Sequence, residues 1–299
     1  MSGLISINGE VFSPEEAKIS VLDRGLLFGA SIFEVFVAFE NKLLDAQEHL
    51  NRLRKSAEIN MIEVPWKDEE LIFEIEHLLS QVPDKKKYIR LTITSGNGLG
   101  LVSHADTTPN KIIYCMPAKI ENESVYSHGL KLDIKKLPYT ERGRHAKSGN
   151  YLRSINALKD AKKDGWDDIL WLNSENEFTE ASTANIFLIG RDGDLVEIAT
   201  PPSHSGLLLG ITRQSIIRLL TMSRIKVTDR IIHKEELARF DEAFICSTVR
   251  GLVPIRQIGK HKMFTCRTNA TFHHINRLYM AWVQKQVGYA VDWRTGNKI

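Results

Sequence analysis

Two residues in one stretch of the chain have side chains suited to the chemistry of an aldehyde cofactor. Lys147 comes just before an amphipathic pattern that predicts a helix, and Glu180 lies near the start of the return strand of a predicted hairpin. A partly desolvated lysine amine can bond to an aldehyde, and a fixed carboxylate can keep a pyridine nitrogen protonated. The pair indicates pyridoxal phosphate (PLP) chemistry, although either residue taken alone more often faces solvent.

Three other places in the sequence could bind a phosphate group. Gly210 to Thr212 open a predicted helix, where backbone N–H groups favour an anion and the Thr212 hydroxyl adds a donor. Ser247 and Thr248 follow an apolar strand at the point where it passes into a loop, a common place for ligands. Arg52 lies off the apolar stripe of its helix, and a guanidinium is a good phosphate partner. Each place also fits a plainer role as a helix start or a solvated side chain.

A candidate carboxylate site lies on one predicted strand. Tyr88 and Arg90 are two residues apart, so their side chains point to the same face of the sheet. An aromatic ring beside a guanidinium can bind a carboxylate, and an ordinary solvated strand face is the alternative. We expect the lysine run 85–87, just before this pair, to be a solvated turn.

The elements that must position these side chains begin with a strand-rich region. Asn8-Gly9 between alternating apolar residues predicts a type I′ hairpin turn. Helical spacing of apolar residues predicts two helices, from Gln47 to about Glu58 and from Asp68 to about Gln81. Two helices on a mostly antiparallel sheet indicate a small α+β domain over residues 1–118.

A second, larger domain is expected after a polar linker at residues 119–126. At 299 residues the chain exceeds the roughly 250 residues at which single cores stop growing, which favours two domains. Over residues 127–299 we expect helices after Lys147, after Gly210 and from about Asn269 to Val287. A hairpin strand is expected from Phe178 to Ile189.

The composition excludes several classes of partner. With 40 basic and 37 acidic residues, the net charge of +3 supplies no long-range field for nucleic acid or an anionic membrane. We expect no leader and no membrane span, because no apolar run approaches ~18 residues. Cys115, Cys246 and Cys266 cannot all pair, which favours a cytoplasmic setting. His273 and His274 are adjacent on a helix without an acidic partner at helical spacing, so no metal site is expected.

Six separated blocks of the sequence, in order, resemble the fold-type IV pyridoxal-phosphate enzymes, also called class IV aminotransferases. The blocks are Leu22–Gly29 running into Ile32–Glu34, His49–Leu53, Lys147–Tyr151, Thr179–Phe187, Gly210–Arg213, and Ser247-Thr248 before Pro254. They cover nearly the whole chain, which makes chance agreement improbable. The resemblance implies a two-domain fold of mixed α+β and α/β type, like D-amino acid aminotransferase, with PLP between the domains.

The resemblance also implies roles for the candidate residues. Lys147 would bond to the PLP aldehyde and move the α-proton, Glu180 would pair with the pyridine nitrogen, and Tyr151 would contact the phenolic oxygen. The phosphate would be held by Arg52, the backbone of Ile211 and Thr212, Ser247 and Thr248. The substrate would meet Phe28 and Phe33 at its side chain, and Tyr88, Arg90, Thr248 and Val249 at its carboxylates.

Within this family the sequence favours a branched-chain amino acid aminotransferase, which moves an amino group from leucine, isoleucine or valine to 2-oxoglutarate. Tyr88-Ile89-Arg90 matches the branched-chain pattern, and Ser95 stands where D-specific and lyase members usually carry arginine. Ala181 in place of a common glycine, a short lysine block and a missing aromatic loop leave alternatives open. These are an aminodeoxychorismate lyase, a D-amino acid aminotransferase and a catalytically silent binding module. We expect a homodimer or higher homo-oligomer that acts on small amino and 2-oxo acids.

Overall fold

The structure of the protein is a computed structural model that describes residues 3–102, 107–137, 146–192 and 195–299. Contacts between Cα atoms divide the chain into two compact units. The first unit contains Met1–Ile120, Ala146–Asn150 and Gln284–Ile299, and the second contains Glu121–His145 and Tyr151–Val283. The predicted division into residues 1–118, 119–126 and 127–299 stays a prediction. The segment Ala146–Asn150, which contains Lys147, and the C-terminal segment Gln284–Ile299 are both parts of the first unit.

An antiparallel sheet with two helices packed against it forms the first unit. Its elements are β1 (Leu4–Ile7), β2 (Glu10–Phe12), α1 (Arg24–Phe28), β3 (Ser31–Phe39), β4 (Lys42–Leu43), α2 (Ala46–Asn60), α3 (Asp68–Gln81), β5 (Lys86–Thr94) and β6 (Asn110–Pro117). The strand order is β2-β1-β6-β5-β3-β4. Leu50 and Leu53 of α2 and Leu71 and Ile75 of α3 share one core with Phe36 of β3. The two helices predicted from apolar spacing are confirmed.

The first hairpin follows directly from its turn residues. Asn8 and Gly9 have φ values of 54° and 98°, the left-handed conformation that a type I′ turn requires at both central positions. β1 and β2 then pair in register from Ile7 opposite Glu10 to Ile5 opposite Phe12. The predicted turn is therefore confirmed.

The prediction of a solvated lysine turn is wrong for Lys86 and Lys87. Both lie in β5 and are buried. The Lys86 ammonium donates to the Trp293 carbonyl at 2.7 Å and lies 5.0 Å from the centre of the Trp293 ring. The Lys87 ammonium donates to the carbonyls of Glu40 and Leu79 at 2.8 Å each, and burial lowers its pKa. Carbonyl acceptors distant in sequence compensate for the burial of these charges, and a local charge pattern does not reveal them.

A mixed sheet that closes on itself forms most of the second unit. Its elements are α4 (Glu123–Ser127), β7 (Leu130–Lys136), α5 (Leu152–Lys163), β8 (Asp168–Leu172), β9 (Phe178–Ala181), β10 (Asn185–Asp192), β11 (Leu195–Thr200), α6 (Ile211–Met222), β12 (Val227–Asp229), β13 (Phe240–Ser247), β14 (Gly251–Ile258), β15 (His261–Lys262) and α7 (Thr271–Val287), whose last turn belongs to the first unit. The strand order is β12-β11-β10-β13-β14-β7-β8-β9, and β9 also pairs with β10.

The pairing of β9 with β10 closes a ring of β10, β13, β14, β7, β8 and β9 around one apolar core. Phe178, Ile186, Ile245 and Val253 are members of this core and are at most 1% exposed. The ring fixes the strand ends that carry several candidate site residues. Within the described ranges, no helix combines the length and apolarity that crossing a membrane requires.

Candidate active site

The backbone around Lys147 is held by two elements of the first unit. The Lys147 N–H donates to the Ser56 hydroxyl of α2 at 3.1 Å, and the Lys147 carbonyl accepts from the Phe33 N–H of β3 at 3.0 Å. Two residues later the Gly149 N–H donates to the Ser31 carbonyl at 3.1 Å. A Cβ on Gly149 would lie 2.6 Å from the Ser31 hydroxyl, so a larger residue would have to displace that hydroxyl. The lysine backbone is therefore fixed on both sides.

The ring of Phe33 connects the predicted catalytic lysine to the predicted substrate arginine. The ammonium of Lys147 lies 4.6 Å from the ring centre, and the guanidinium carbon of Arg90 lies 3.6 Å from it. Phe33 is 2% exposed, so both cations lie against a ring that water scarcely reaches. An amine, an apolar surface and a guanidinium thus occupy one place in the first unit.

Tyr88 and Arg90 point to the same face of the sheet as Phe33. Val35 is paired with Arg90 and Val37 with Tyr88 in the β3–β5 register, and residues paired across strands share a face. The Tyr88 ring stacks on Tyr114 with centres 5.9 Å apart. Burial, and then the neighbouring Tyr114, raise the pKa of Tyr88, so its phenol keeps its proton and can donate a hydrogen bond.

A buried cluster on the other face of β3 holds Arg52. Glu34 accepts from Nε and from Nη2 of Arg52 at 2.7 Å each, and its second oxygen lies 2.8 Å from Nδ1 of His49. Burial raises the pKa of Glu34, but the charge of Arg52 and the hydrogen bonds from Arg52 and His49 outweigh it, so the pKa falls to about 2. The charged carboxylate therefore orients the guanidinium.

His49 completes this cluster in its neutral form. Burial lowers its pKa, and the charges of Arg52 and Lys147 lower it further against the opposing effect of Glu34. His49, Arg52 and Ser56 are spaced three and four residues apart, so one face of α2 carries all three. Neither Glu34 nor His49 was among the predicted site residues. Glu34 is the only charged residue in the otherwise mostly apolar strand Ser31–Phe39. A buried carboxylate needs a charged or hydrogen-bonding partner, so this position could have indicated a role for Glu34.

The predicted pocket residue Phe28 ends the short helix α1 and is 43% exposed. Asp23 caps this helix by accepting from the N–H groups of Gly25 and Leu26 at 2.8 and 3.3 Å. Arg24 donates to the carbonyls of Gly100 and Leu101, the second at 2.5 Å. The Asp23-Arg24 pair thereby fixes α1 and ties it to the glycine-rich loop that follows β5.

The second unit brings Glu180 close to the start of α6. The amide nitrogen of Asn185 lies 3.2 Å from Oε2 of Glu180, and the amide oxygen of Asn185 accepts from the Gly210 N–H at 3.1 Å. Gly210 is the N-cap of α6, and having no side chain it leaves the first N–H groups of the helix, including those of Ile211 and Thr212, without a side-chain cap. Such a helix start favours an anion.

The helix start is anchored by Arg213, which is 2% exposed. Its guanidinium donates to the Thr200 hydroxyl at 3.2 Å, the Pro201 carbonyl at 2.9 Å and the Asp229 carboxylate at 2.9 Å. These contacts hold α6 to the ends of β11 and β12. The arginine of the Gly210–Arg213 block therefore positions the helix.

Ser247, Thr248 and Val249 lie where β13 turns into β14. Ser247 pairs with Gly251, so Thr248 to Arg250 form a three-residue hairpin turn, and Gly251 has the φ of 64° that such a turn favours in glycine. Cys246, at the end of β13, pairs with Asn185. The turn therefore lies near the Glu180 and Gly210 positions. Tyr151 is the half-buried residue that precedes α5, and its carbonyl accepts from Ile155 at 2.9 Å.

The chemical groups of these site residues fit PLP. An amine, a carboxylate, a guanidinium and an uncapped helix start are the groups that an aldehyde, a pyridine nitrogen and a phosphate require. The structure gathers Lys147, Phe33, Arg90 and Arg52 in the first unit, and Glu180, the α6 start and the 247–249 turn in the second.

Comparisons with known proteins agree with this chemistry. Residues 31–258 match the family model described as amino-transferase class IV. A putative branched-chain-amino-acid aminotransferase of Methanocaldococcus jannaschii is 32% identical over 85% of this chain and 87% of its own. The crystal structure of the Escherichia coli branched-chain amino acid aminotransferase superposes with a TM-score of 0.85 at 26% identity, covering 96% of each chain.

A second solved structure, the branched-chain aminotransferase of the archaeon Thermoproteus uzoniensis with norvaline, has a TM-score of 0.82 at 26% identity and covers 95% of each chain. The chain belongs to the class IV aminotransferase family. The predicted family, the fold-type IV architecture and the assignment as an aminotransferase are confirmed.

Proposed function

We propose that the chain transfers amino groups from branched-chain L-amino acids to 2-oxoglutarate with PLP as cofactor. The observation that carries this proposal is the Phe33 ring, which lies against both the Lys147 amine and the Arg90 guanidinium. A substrate with an apolar side chain and a carboxylate suits that surface. The relatives named as branched-chain aminotransferases support the same substrate class.

The residues that would hold PLP are those of the predicted set. They are Lys147, Glu180, Tyr151, Arg52, Ile211, Thr212, Ser247 and Thr248. When bound, PLP would accept the electrons that the substrate's α-carbon keeps when its proton leaves, which makes that proton easier to remove. The Glu180 carboxylate would keep the pyridine nitrogen protonated, and the first N–H groups of α6 with Arg52 would hold the phosphate.

Lys147 would act as the base for the proton on the substrate's α-carbon. Its Nζ would take that proton and hold it for the later proton transfer. Hydrogen bonds of the Lys147 backbone with Ser56 and Phe33 keep the start of this side chain in place. A base with a fixed backbone needs less reorganisation at each proton transfer.

The predicted substrate residues would each bind a different group of the substrate. Arg90 would pair with a carboxylate, and the protonated phenol of Tyr88 would donate to it. Phe33 and Phe28 would contact the apolar side chain. The backbone N–H groups of Thr248 and Val249 would receive the α-carboxylate, which every amino acid substrate carries.

We further propose a cytoplasmic homodimer. Exposed apolar side chains lie on and beside α1 and on the loop after β5, namely Val21, Leu22, Leu26, Leu27, Phe28, Leu99, Leu101 and Val102. Arg24 ties the two segments together, so they form one apolar surface that a second copy would cover. Light scattering should give the mass of two chains, and Leu26→Glu should shift it towards one chain. Phe73→Glu, at a position at least as exposed as Leu26 but on α3, should leave the dimer intact.

A panel of half-reactions tests the proposed activity. Protein loaded with PLP is mixed with single L- or D-amino acids, and the loss of the bound cofactor's absorbance is followed. Rapid loss with L-leucine, L-isoleucine and L-valine, reversed by 2-oxoglutarate, is the expected result. A response to D-amino acids alone, or no response at all, would contradict the proposal. Release of pyruvate in a separate assay with a chorismate-derived amine would contradict it as well.

A further inference from the structure

Asn185 is the residue at which the candidate cofactor contacts of the second unit meet. It begins β10 and is 4% exposed, and its backbone pairs with Glu180 of β9 and with Cys246 of β13. Its pairing with Glu180 is the one that joins β9 to β10 and closes the ring of strands. The side chain of Asn185 therefore lies at a junction of three strands.

Both ends of the Asn185 amide are used. Its nitrogen lies 3.2 Å from Oε2 of Glu180 and donates to the Leu208 carbonyl at 2.9 Å, and its oxygen accepts from the Gly210 N–H at 3.1 Å. The amide thus connects the carboxylate of Glu180 to the first residues of α6 through a single rigid side chain. A buried amide with its hydrogen bonds satisfied strongly limits the movement of the groups it joins.

Gly210 allows this connection. A Cβ on Gly210 would lie 2.1 Å from the amide oxygen of Asn185, so a larger residue would displace either that amide or the start of α6 and break the connection. The glycine of the Gly210–Arg213 block is thus required by the close approach of Asn185. The Thr179–Phe187 block, which contains Asn185, and the Gly210–Arg213 block thus supply the two sides of this connection.

We propose that Asn185 is a positioning residue that sets the distance between the Glu180 carboxylate and the start of α6. The inference rests on the proposed function, in which these two groups meet the pyridine nitrogen and the phosphate of one PLP molecule. Two contacts held at a fixed spacing bind one ligand better than the same contacts on loosely joined elements. The connection through Asn185 should therefore favour PLP, which carries both the pyridine nitrogen and the phosphate, over pyridoxal, which lacks the phosphate.

The test compares the affinities for PLP and pyridoxal of the apo form of the full chain, measured by absorbance titration. Asn185→Ala should lower the ratio of the two affinities by about tenfold or more, because the hydrogen bond to the charged Glu180 and the bond from Gly210, which together hold the two groups at their spacing, are both lost. Pyridoxal affinity should change much less. This ratio reports binding and does not depend on turnover.

Asn173 provides a matched control. It is 0% exposed, its amide nitrogen donates to the Glu177 carboxylate at 2.6 Å, and its oxygen accepts from the N–H groups of Glu175 and Glu177 at 3.0 Å each. It makes the same kinds of contact within a hairpin turn, outside the predicted cofactor contacts. Asn173→Ala should lower thermal stability to a similar degree and leave the affinity ratio within about twofold of the original.

A second variant keeps the test valid if Asn185→Ala does not fold. Asn185→Asp has nearly the same shape and still accepts from Gly210, but it loses the donations to Glu180 and to the Leu208 carbonyl and repels the Glu180 carboxylate, so the same ratio should fall. The inference is overturned if PLP and pyridoxal affinities fall in parallel, or if Asn173→Ala lowers the ratio equally. Failure of the proposed function looks different, since the original protein would then fail the half-reaction panel with branched-chain L-amino acids or would not bind PLP at all.

Discussion

The carboxylate of Glu34 receives two hydrogen bonds of 2.7 Å from the guanidinium of Arg52, one from Nε and one from Nη2. Glu34 lies on β3 and Arg52 on α2, the same two elements that hold the backbone of Lys147. An arginine in such a fork has one orientation before any ligand arrives, which lowers the entropy lost on binding. The fork also makes stability depend on pH in a defined way.

Glu34 should contribute stability that disappears in acid. Its pKa is about 2 in the folded protein and near 4.5 when unfolded, so the unfolded chain binds more protons between these values. The contribution is therefore complete above pH 4.5 and is lost as the pH falls towards 2. A shift of this size corresponds to about 3 kcal/mol.

Urea unfolding of Glu34→Gln at several pH values measures this contribution. At pH 7 the variant should be less stable than the original protein by about 3 kcal/mol, because Arg52 loses its charged partner. The difference should shrink between pH 4.5 and 2. Glu48→Gln, at an exposed position of α2, should follow the original protein throughout. A difference independent of pH would contradict the assigned role of the charge.

Arg90→Gln should weaken the binding of carboxylate substrates. Removal of a guanidinium that pairs with a carboxylate should raise KM for 2-oxoglutarate, which carries a second carboxylate, by about 10- to 100-fold. KM for L-leucine should change less, because the N–H groups of Thr248 and Val249 receive its single carboxylate. Steady-state kinetics with each substrate varied in turn measure the effect, with Arg277→Gln, an exposed arginine of α7, as the control. Unchanged KM values in the Arg90 variant would remove Arg90 from the substrate site.

Lys86→Met should destabilise the protein although it replaces a charge with an apolar group. The Trp293 carbonyl would lose its donor, and the ammonium would no longer lie against the Trp293 ring. We expect a loss of about 1 to 3 kcal/mol in thermal or urea unfolding. Lys85→Met, at the exposed neighbouring position, should change stability by less than about 0.5 kcal/mol. Equal effects of the two changes would mean that the buried contacts of Lys86 add nothing.

Local patterns in the sequence account for much of the fold. Apolar spacing predicted α2 and α3, and Asn8-Gly9 predicted its turn, because these features depend on residues close in sequence. The short helix α1 and the strand β11 were not predicted. α1 has five residues and depends on its Asp23 cap, too short for a periodic pattern to appear.

The candidate site was predictable in its residue types and much less in its contacts. Ordered motifs indicated Lys147, Glu180 and the start of α6. The residues that orient the site side chains, such as Glu34 for Arg52 and Asn185 for Glu180, could not be predicted in this way. Their contacts depend on how strands and helices pack in the folded protein, which a local sequence pattern does not show. The burial of Lys86 and Lys87 was missed for the same reason.

We propose that Lys147 binds PLP covalently and moves the substrate proton. The most direct measurement is the absorbance spectrum of the purified protein with PLP, before and after L-leucine, compared with that of Lys147→Ala. The original protein should show a visible band that disappears with L-leucine and returns with 2-oxoglutarate, whereas Lys147→Ala should lack the band of the lysine-bound cofactor. An identical band and an identical response in Lys147→Ala would mean that Lys147 neither binds the cofactor nor moves the substrate proton.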